Sequence, residues 1–212
     1  MILEQTKDRT LPNLVAQLIE QGKVVIVPSD TIYALICDCT NSTSVEDIYR
    51  LKSRPQSKAL PIFCPDIDFV QQHFDLSALE MHLATTLWPG PVTMVINKKR
   101  SSSIASNVNL HNSKIAVRCP NHRFIQQIMR ISKKPLVATS ANISGVHPSD
   151  SSEITDSMFA KKLPVVRSTQ QFDESKVSSI IEIIDGKITF HRRGLEAEKI
   201  DNINLNSLAV VK

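Results

Sequence analysis

Apolar residues recur along the chain at two spacings, one typical of helices and the other of strands. In residues 11–21 they recur every three to four positions, as in an amphipathic helix, and Gly22 stands where that helix would end. Further helices are predicted in residues 42–52, 76–88, 122–132 and 152–160. Short apolar runs predict strands in residues 23–28, 59–64, 92–97, 114–120, 135–140, 163–168, 178–184 and 187–194.

The order of these elements predicts the fold class. Helices alternate with strands, yet several strands are separated only by turns, so we expect a mixed α/β sheet rather than a purely parallel one. The polar, Ser-rich residues 98–113 are predicted to form a mobile loop or an irregular crossing. With 212 residues and no evident linker, the chain is expected to form a single domain over residues 1–212.

Composition excludes several classes of protein. Hydrophobic residues make up 42% of the chain and charged residues 22%, as in ordinary globular proteins. No apolar run is long enough to cross a membrane and the N-terminus lacks a secretory signal, so a cytoplasmic protein with no membrane partner is expected. The four cysteines are expected to be free, buried thiols. The net charge of +4 favours anionic ligands.

The first of three polar clusters contains Ser29, Asp30, Thr31 and Tyr33, just after the strand that ends at Pro28. Ligands in α/β proteins often bind beyond strand ends, which makes the hydroxyl groups in this cluster candidate substrate contacts. The same residues are also typical of a turn in which a side chain caps the next backbone N–H. The spacing leaves both interpretations open.

The second cluster places Lys52, Arg54 and Lys58 within seven positions at a helix end. Cations this close repel one another unless an anion neutralises them. A triphosphate would do so, because Arg binds phosphate bidentately and Lys acts as a movable charge. The alternative is a solvated helix end, where cations complement the helix dipole.

The third cluster is the segment TSANISG, residues 139–145, at the end of a predicted strand. Thr139, Ser140, Asn142 and Ser144 supply hydroxyl and amide groups, and Gly145 permits a tight turn, so the loop could surround phosphate oxygens. It lacks the glycines and lysine of a Walker loop, and the chain has no GxGxxG motif. A simple connecting turn is the alternative.

Two further residues stand out by their surroundings. Arg118 lies in the apolar run IAVRCP, where an unpaired cation is costly, so it needs an anionic partner from the protein or from a ligand. Trp88, in LWPGPVT, is expected to fill the core. The sequence shows no Ser-His-Asp order, no HExxH and no paired metal carboxylates, so catalysis by positioning and charge neutralisation is favoured over covalent catalysis.

Taken in order, these segments resemble the YrdC/TsaC family, the threonylcarbamoyl-AMP synthases. The family pattern Pro-Thr-Asp-Thr-x-Tyr-Gly-Leu is matched by PSDTIYAL, Lys-x-Arg by Lys52 and Arg54, and Trp-Pro-Gly-Pro-x-Thr by WPGPVT. Arg-x-Pro is matched by RCP, Ser-x-Asn-x-Ser-Gly by SANISG, a Ser-Thr-Val-like strand by SSII, and a late Arg-Pro-Gly by RRG. These seven matches span about residues 20–194.

The resemblance implies a twisted mixed α/β sheet flanked by helices around a positively lined central cavity. It implies that L-threonine, bicarbonate or CO2, and ATP with Mg2+ combine there into threonylcarbamoyl-AMP and pyrophosphate. This reaction is the first step in making threonylcarbamoyladenosine on tRNA. In the family the Lys-x-Arg and Ser-x-Asn residues form one anion-binding tetrad, which here is Lys52, Arg54, Ser140 and Asn142.

The resemblance also implies roles for residues outside the tetrad. Arg118 would help to neutralise the two anionic reactants, while Thr31 and Tyr33 would border the amino acid. Ser178 and Arg192 would border the nucleotide. Lys52 and Arg54 are the implied catalytic residues. The implied binding residues are Thr31, Tyr33, Lys58, Arg118, Thr139, Ser140, Asn142, Ser178 and Arg192. No residue is implied as a metal ligand. The implied partners are tRNA, bound weakly or indirectly, and a downstream threonylcarbamoyl-transferase complex.

The chain departs from the family pattern at several positions. Ala34 replaces a glycine, and residues 168–177 lack the glycines that precede the Ser-Thr-Val strand in the family, which changes the nucleotide end of the site. The chain ends soon after RRG, so the extra C-terminal domain of longer relatives is expected to be absent. Two alternatives stay open, a YciO-like homologue and a non-catalytic RNA-binding protein of the same fold. The mild charge and the few aromatic residues disfavour the second.

Overall fold

A computed structural model of the protein describes residues 2–4, 10–110, 112–142, 162–168 and 176–203. The helices are α1 (Leu11–Glu20), α2 (Ser42–Lys52), α3 (Ile67–His73), α4 (Ala78–Leu87), α5 (Arg123–Ser132) and α6 (Ala197–Asp201), and a 3-10 turn spans Ser106–Val108. The strands are β1 (Ile2–Glu4), β2 (Val25–Val27), β3 (Ala34–Asp38), β4 (Ile62–Phe63), β5 (Phe74–Asp75), β6 (Val92–Lys98), β7 (Lys114–Arg118), β8 (Leu136–Ser140), β9 (Val165–Arg167), β10 (Ser179–Ile184) and β11 (Lys187–Arg192).

Polar side chains fix where helices α2 and α4 begin. The Asn41 side chain accepts hydrogen bonds from the backbone N–H groups of Thr43 and Ser44, so α2 begins directly after it. Ser77 and Glu80 form a reciprocal capping box at the start of α4. These caps satisfy N–H groups that have no partner within the helix, and they set the direction in which each helix leaves its loop.

The strands form one mixed sheet in the order β1-β9-β2-β3-β8-β4-β7-β6-β10-β11, with β5 paired to β6. Its parallel pairs are β1 with β9, β9 with β2, β4 with β7, and β6 with β10, and the other neighbours run antiparallel. In the centre, Ala34 on β3 pairs with Ser140 on β8, and Phe63 on β4 pairs with Arg118 on β7. This register brings the ends of distant chain segments to one region.

The core forms two clusters of buried apolar side chains. One contains Val15 and Ile19 of α1 packed with Ile125 and Ile128 of α5. The other, larger cluster includes side chains of α2 and α4 and the ring of Trp88. The Trp88 indole N–H donates to the Val92 carbonyl at 2.6 Å, so its predicted place in the core is confirmed. All four cysteines are free and buried, as predicted.

The predicted fold class and most of its elements are confirmed. Helices occur within one or two residues of the four predictions that fall on described residues, and the predicted helix around 152–160 lies outside them. Each predicted strand contains an observed one. Residues 98–110 form an irregular crossing in which Ile104 and Val108 are buried. Backbone bonds from Ala105 N to the Cys39 carbonyl, at 2.9 Å, and from Leu60 N to the Val108 carbonyl, at 3.0 Å, hold this crossing to the sheet.

Five elements are not predicted from the sequence: β1, β3, β5, α3 and α6. Strand β3 is buried at every position, so it lacks the alternation of a half-exposed strand, and it directly follows the polar cluster at 29–33. Helix α3 has only seven residues, too few for its periodicity to be recognised. Both omissions concern elements that tertiary packing stabilises.

Candidate active site

A cavity of about 440 Å³ opens where the ends of the central strands meet. It is lined by nine of the eleven residues singled out in the sequence, namely Thr31, Tyr33, Arg54, Arg118, Thr139, Ser140, Asn142, Ser178 and Arg192. Three of these are arginines, and no aspartate or glutamate lines the cavity among the described residues. The cavity is therefore built for an anionic ligand.

Lys52 joins the second polar cluster to the third. It is the last residue of α2, and its side chain is only 1% exposed, so the solvated helix end considered above does not apply to it. Its ammonium donates to the Ser140 carbonyl, to the Asn142 carbonyl at 2.7 Å, and to the Asn142 Oδ1 at 3.1 Å. The Ser140 hydroxyl also donates to the same Oδ1. Lys52 thus lies behind the cavity wall and binds the end of β8, which forms part of that wall.

Burial changes the protonation equilibrium of Lys52. Removal from water, together with the nearby charge of Arg54, lowers the pKa of Lys52 to about 7. The three oxygens around the ammonium accept its three protons when it is charged. An anionic ligand near this ammonium would therefore alter its protonation at neutral pH.

Arg54 reaches the cavity from the loop after α2. Its Nε donates to the Lys58 carbonyl at 3.0 Å and its Nη2 to the Ala59 carbonyl at 2.7 Å, so the loop orients the guanidinium. Burial lowers the pKa of Arg54, but a guanidinium remains charged at neutral pH. Because arginine carries five N–H donors, donors are left for a ligand.

The side chain of Lys58 lies away from this group. It is exposed and does not line the cavity. The part of Lys58 that serves the site is its carbonyl, which accepts from Arg54 and from the Tyr49 hydroxyl at 3.3 Å. Arg54 therefore lines the cavity, Lys52 lies behind its wall against Ser140 and Asn142, and the ammonium of Lys58 does neither.

At the opposite wall, Arg118 has the anionic partner that its burial requires. It is 4% exposed, and its Nη2 donates to an Asp30 carboxylate oxygen, while its Nη1 lies 3.4 Å from the Thr31 hydroxyl. The other Asp30 oxygen accepts from the Asn121 backbone N–H at 3.0 Å. Burial lowers the pKa of Arg118 and the neighbouring carboxylate opposes that shift. The partner left open by the sequence is therefore the protein's own Asp30.

The polar cluster after β2 is both a turn and part of the cavity wall. Ser29 accepts from the Thr31 backbone N–H at 3.1 Å and donates to the Ile32 carbonyl at 2.5 Å, which is the turn interpretation. Thr31 and Tyr33 still line the cavity. The Tyr33 carbonyl accepts from the Ala141 backbone N–H at 3.0 Å, so this turn adjoins the third cluster. The two interpretations of the sequence are compatible.

A third group of polar side chains lies at the β10–β11 end of the cavity. Arg192 donates from Nε to the Ser178 carbonyl and from Nη2 to the Ser178 hydroxyl, both at 2.8 Å. Thr93 is within 3.1 Å of the same hydroxyl. Gly194 allows this close packing, because a Cβ there would lie 2.3 Å from the Val177 carbonyl oxygen.

Thr93 and Asp30 are site residues that sequence reasoning does not single out as binding residues. Thr93 is 5% exposed and lines the cavity, and the only signal for it is its place at the end of WPGPVT. Asp30 acts through Arg118 rather than by lining the cavity. Neither role follows from spacing, because both depend on strands that are far apart in the chain.

Comparison with known proteins gives the family. Residues 17–194 match the Sua5/YciO/YrdC family, which carries the description "Telomere recombination". The chain belongs to this family. A threonylcarbamoyl-AMP synthase of Vibrio vulnificus is 32% identical over 134 residues, which make up 62% of this chain and 71% of that protein. The resemblance noted from the sequence motifs is thereby confirmed.

Solved structures of the family share the fold. A crystal structure of P. abyssi Sua5 complexed with L-threonine superposes with a TM-score of 0.83 at 24% identity, covering 95% of this chain. The chain spans 60% of the length of that Sua5. E. coli YciO superposes with a TM-score of 0.79 at 20% identity, covering 92% of this chain and 96% of YciO. The mixed α/β fold is therefore common to both branches.

Two further observations bear on cofactors and location. Among the described residues, no group of three or more His, Cys, Asp or Glu side chains is placed to hold a metal ion. No helix in the described part of the chain combines the length and apolar character needed to cross a membrane.

Proposed function

We propose that this protein is a threonylcarbamoyl-AMP synthase that converts L-threonine, bicarbonate or CO2, and ATP into threonylcarbamoyl-AMP and pyrophosphate. One observation carries the proposal: Lys52 at the end of α2 binds Ser140 and Asn142, and these two residues line, together with Arg54, a cavity that also contains Arg118 and Arg192. Membership of the family and the name of the V. vulnificus relative support it.

The proposed chemistry needs charge neutralisation rather than a protein nucleophile. The threonine amine adds to CO2 with loss of a proton, or condenses with bicarbonate with loss of water, to give an N-carboxylate. An oxygen of this carboxylate attacks the α-phosphorus of ATP, and the bond to the β-phosphate breaks as pyrophosphate leaves. Both reactants are anions, so fixed cations around the cavity lower the barrier by offsetting their repulsion. Lys52 and Arg54 take this role toward the polyphosphate.

The two ends of the cavity suit the two substrates. Arg118, with Thr31 and Tyr33, lies at the amino-acid end, where its guanidinium pairs with the threonine carboxylate. Ser178 and Arg192, joined by Thr93, border the nucleotide. Mg2+ enters as part of the MgATP substrate, because the described residues offer no carboxylate in the cavity wall to hold a resident ion. The product passes to a threonylcarbamoyl-transferase complex that modifies tRNA.

The decisive experiment measures pyrophosphate release with each substrate omitted in turn. We expect release that requires ATP, threonine and bicarbonate together, and a product that contains AMP joined to carboxylated threonine. Equal release without threonine contradicts the proposal. Absence of turnover combined with salt-sensitive RNA affinity would instead favour an RNA-binding protein of the same fold.

The lowered pKa of Lys52 predicts how ATP binding depends on pH. With a pKa of about 7, Lys52 in the free protein loses its charge as the pH rises above 7, whereas a bound triphosphate stabilises the ammonium and raises its pKa. ATP affinity should therefore fall above pH 7, by up to about tenfold per pH unit, and binding should take up about one proton at pH 8. Calorimetry in buffers of different ionisation enthalpy measures this uptake.

The matched control for this prediction is Lys52→Met, which removes the titrating group. Proton uptake should disappear in that variant, while any uptake due to ATP itself remains the same in both proteins. Uptake of the same size in the variant and the unaltered protein would show that another group titrates.

A further inference from the structure

We infer that Phe63 is a positioning residue, whose ring holds the Arg118 guanidinium in the orientation that receives the substrate carboxylate. The inference rests on the proposed function and adds to it a residue that contacts the arginine rather than the reacting atoms. It is carried by the contacts around Arg118.

The sheet register places the ring and the guanidinium side by side. Phe63 on β4 pairs with Arg118 on the parallel strand β7. The Cζ of Arg118 lies 5.1 Å from the centroid of the Phe63 ring, within the range of a cation–π contact. Phe63 is 6% exposed and lines the cavity, so the contact is shielded from water, where it is stronger than at an exposed site.

The other contacts of Arg118 also restrict the orientation of its guanidinium. The Asp30 carboxylate accepts from Nη2 and the Thr31 hydroxyl lies beside Nη1, while the Phe63 ring packs against the guanidinium. The Nε is buried and has no hydrogen-bond partner among the described residues. Because this Nε is inaccessible from the cavity, a ligand carboxylate would contact the guanidinium through an Nη group instead. The aromatic ring and the Asp30 carboxylate together limit rotation of the guanidinium.

The consequence is confined to one end of the cavity. Ser178 and Arg192, which the proposed function places at the nucleotide end, are held by hydrogen bonds to each other and from Thr93 to Ser178, and none of these bonds involves Arg118 or Asp30. Loss of the ring should therefore weaken threonine binding and leave ATP binding unchanged. A merely structural loss would affect both substrates.

The test compares Phe63→Leu with Phe63→Tyr in the full chain. Leucine keeps an apolar wall but has no aromatic face, and we expect it to raise the KM for threonine about 5- to 30-fold with the KM for ATP within about twofold. Tyrosine keeps the face, and we expect a threonine KM within about threefold of the unaltered protein. Phe124→Leu is the matched control, because Phe124 is also 6% exposed and belongs to the same core cluster as Phe63, but it lies on α5 and does not line the cavity.

Each outcome decides the inference. A selective rise in the threonine KM for leucine, restored by tyrosine and absent in the Phe124 control, supports it. Equal changes in both KM values, an unchanged threonine KM, or the same loss with tyrosine as with leucine overturns it. If the unaltered protein shows no threonine-dependent release, the proposed function is rejected and this inference with it. If Phe63→Leu fails to fold, the Phe63→Tyr comparison is made against Phe63→Met, which also fills the space without a ring.

Discussion

Replacing Lys52 with alanine should lower threonine-dependent pyrophosphate release by about 10²- to 10³-fold, the loss typical of removing a fixed group that stabilises developing charge. The ammonium donates to the Ser140 and Asn142 carbonyls and to the Asn142 side chain. Its loss removes a cation from behind the cavity wall together with these three hydrogen bonds to the end of β8 and the residues after it. Steady-state release at saturating ATP and threonine measures the effect.

Two other variants separate the causes of that loss. Arg54→Ala removes a half-buried cation whose hydrogen bonds in the described part of the chain go to the Lys58 and Ala59 carbonyls. This variant therefore tests the loss of charge with less effect on packing. Turnover should fall by about 10²-fold or more. Arg50→Ala removes an exposed cation on the same helix, paired only with Asp47, and should leave turnover within about twofold. Full turnover by Lys52→Ala or Arg54→Ala, with a folded protein by circular dichroism, would contradict the assigned role.

Replacing Arg118 with methionine should lower the free energy of unfolding by about 3–5 kcal/mol, because the substitution leaves the Asp30 carboxylate in the interior without its cation. The side chains of Arg118 and Asp30 are 5% and 11% exposed, so little water is available to replace the lost partner. Asn121 would supply the one remaining backbone donor. Denaturant unfolding of the variant and the unaltered protein measures the difference.

The double variant Asp30→Asn with Arg118→Met is the control for this prediction. Removing both charges eliminates the uncompensated carboxylate, so the double variant should be more stable than Arg118→Met alone. The same stability in the single and double variants would show that the ion pair is not the cause. Activity should be lost in both, because both lack the guanidinium that the proposed function assigns to the threonine carboxylate.

Four of the six helices in the described part of the chain were predictable because their periodicity is local. The apolar stripe of α2 defines that helix without reference to any other element, and the alternation of apolar runs with turns indicated a mixed sheet. Strand β3 was not predictable in this way. Its five buried positions follow from being enclosed between β2 and β8, which is a property of the assembled sheet.

The site shows the same division in its individual residues. The sequence identified Lys52 and Arg54 as a cationic pair and SANISG as a polar loop, but each had an ordinary structural alternative. Lys58, from the same cluster, has an exposed side chain, because the loop turns its carbonyl rather than its ammonium toward the site. Residue type and spacing do not distinguish these outcomes.

The sequence alone determined four of the six described helices, most strands, the family and the residue types from which an anion site could be built. Tertiary structure decided that Lys52 reaches Ser140 and Asn142 across 88 and 90 positions of chain, that Asp30 neutralises Arg118, and that Phe63 lies against its guanidinium. The physical reason is that periodicity and caps act within a few residues, whereas these contacts depend on strand order and register. Burial strengthens these contacts, because a charged group removed from water requires a partner within the protein.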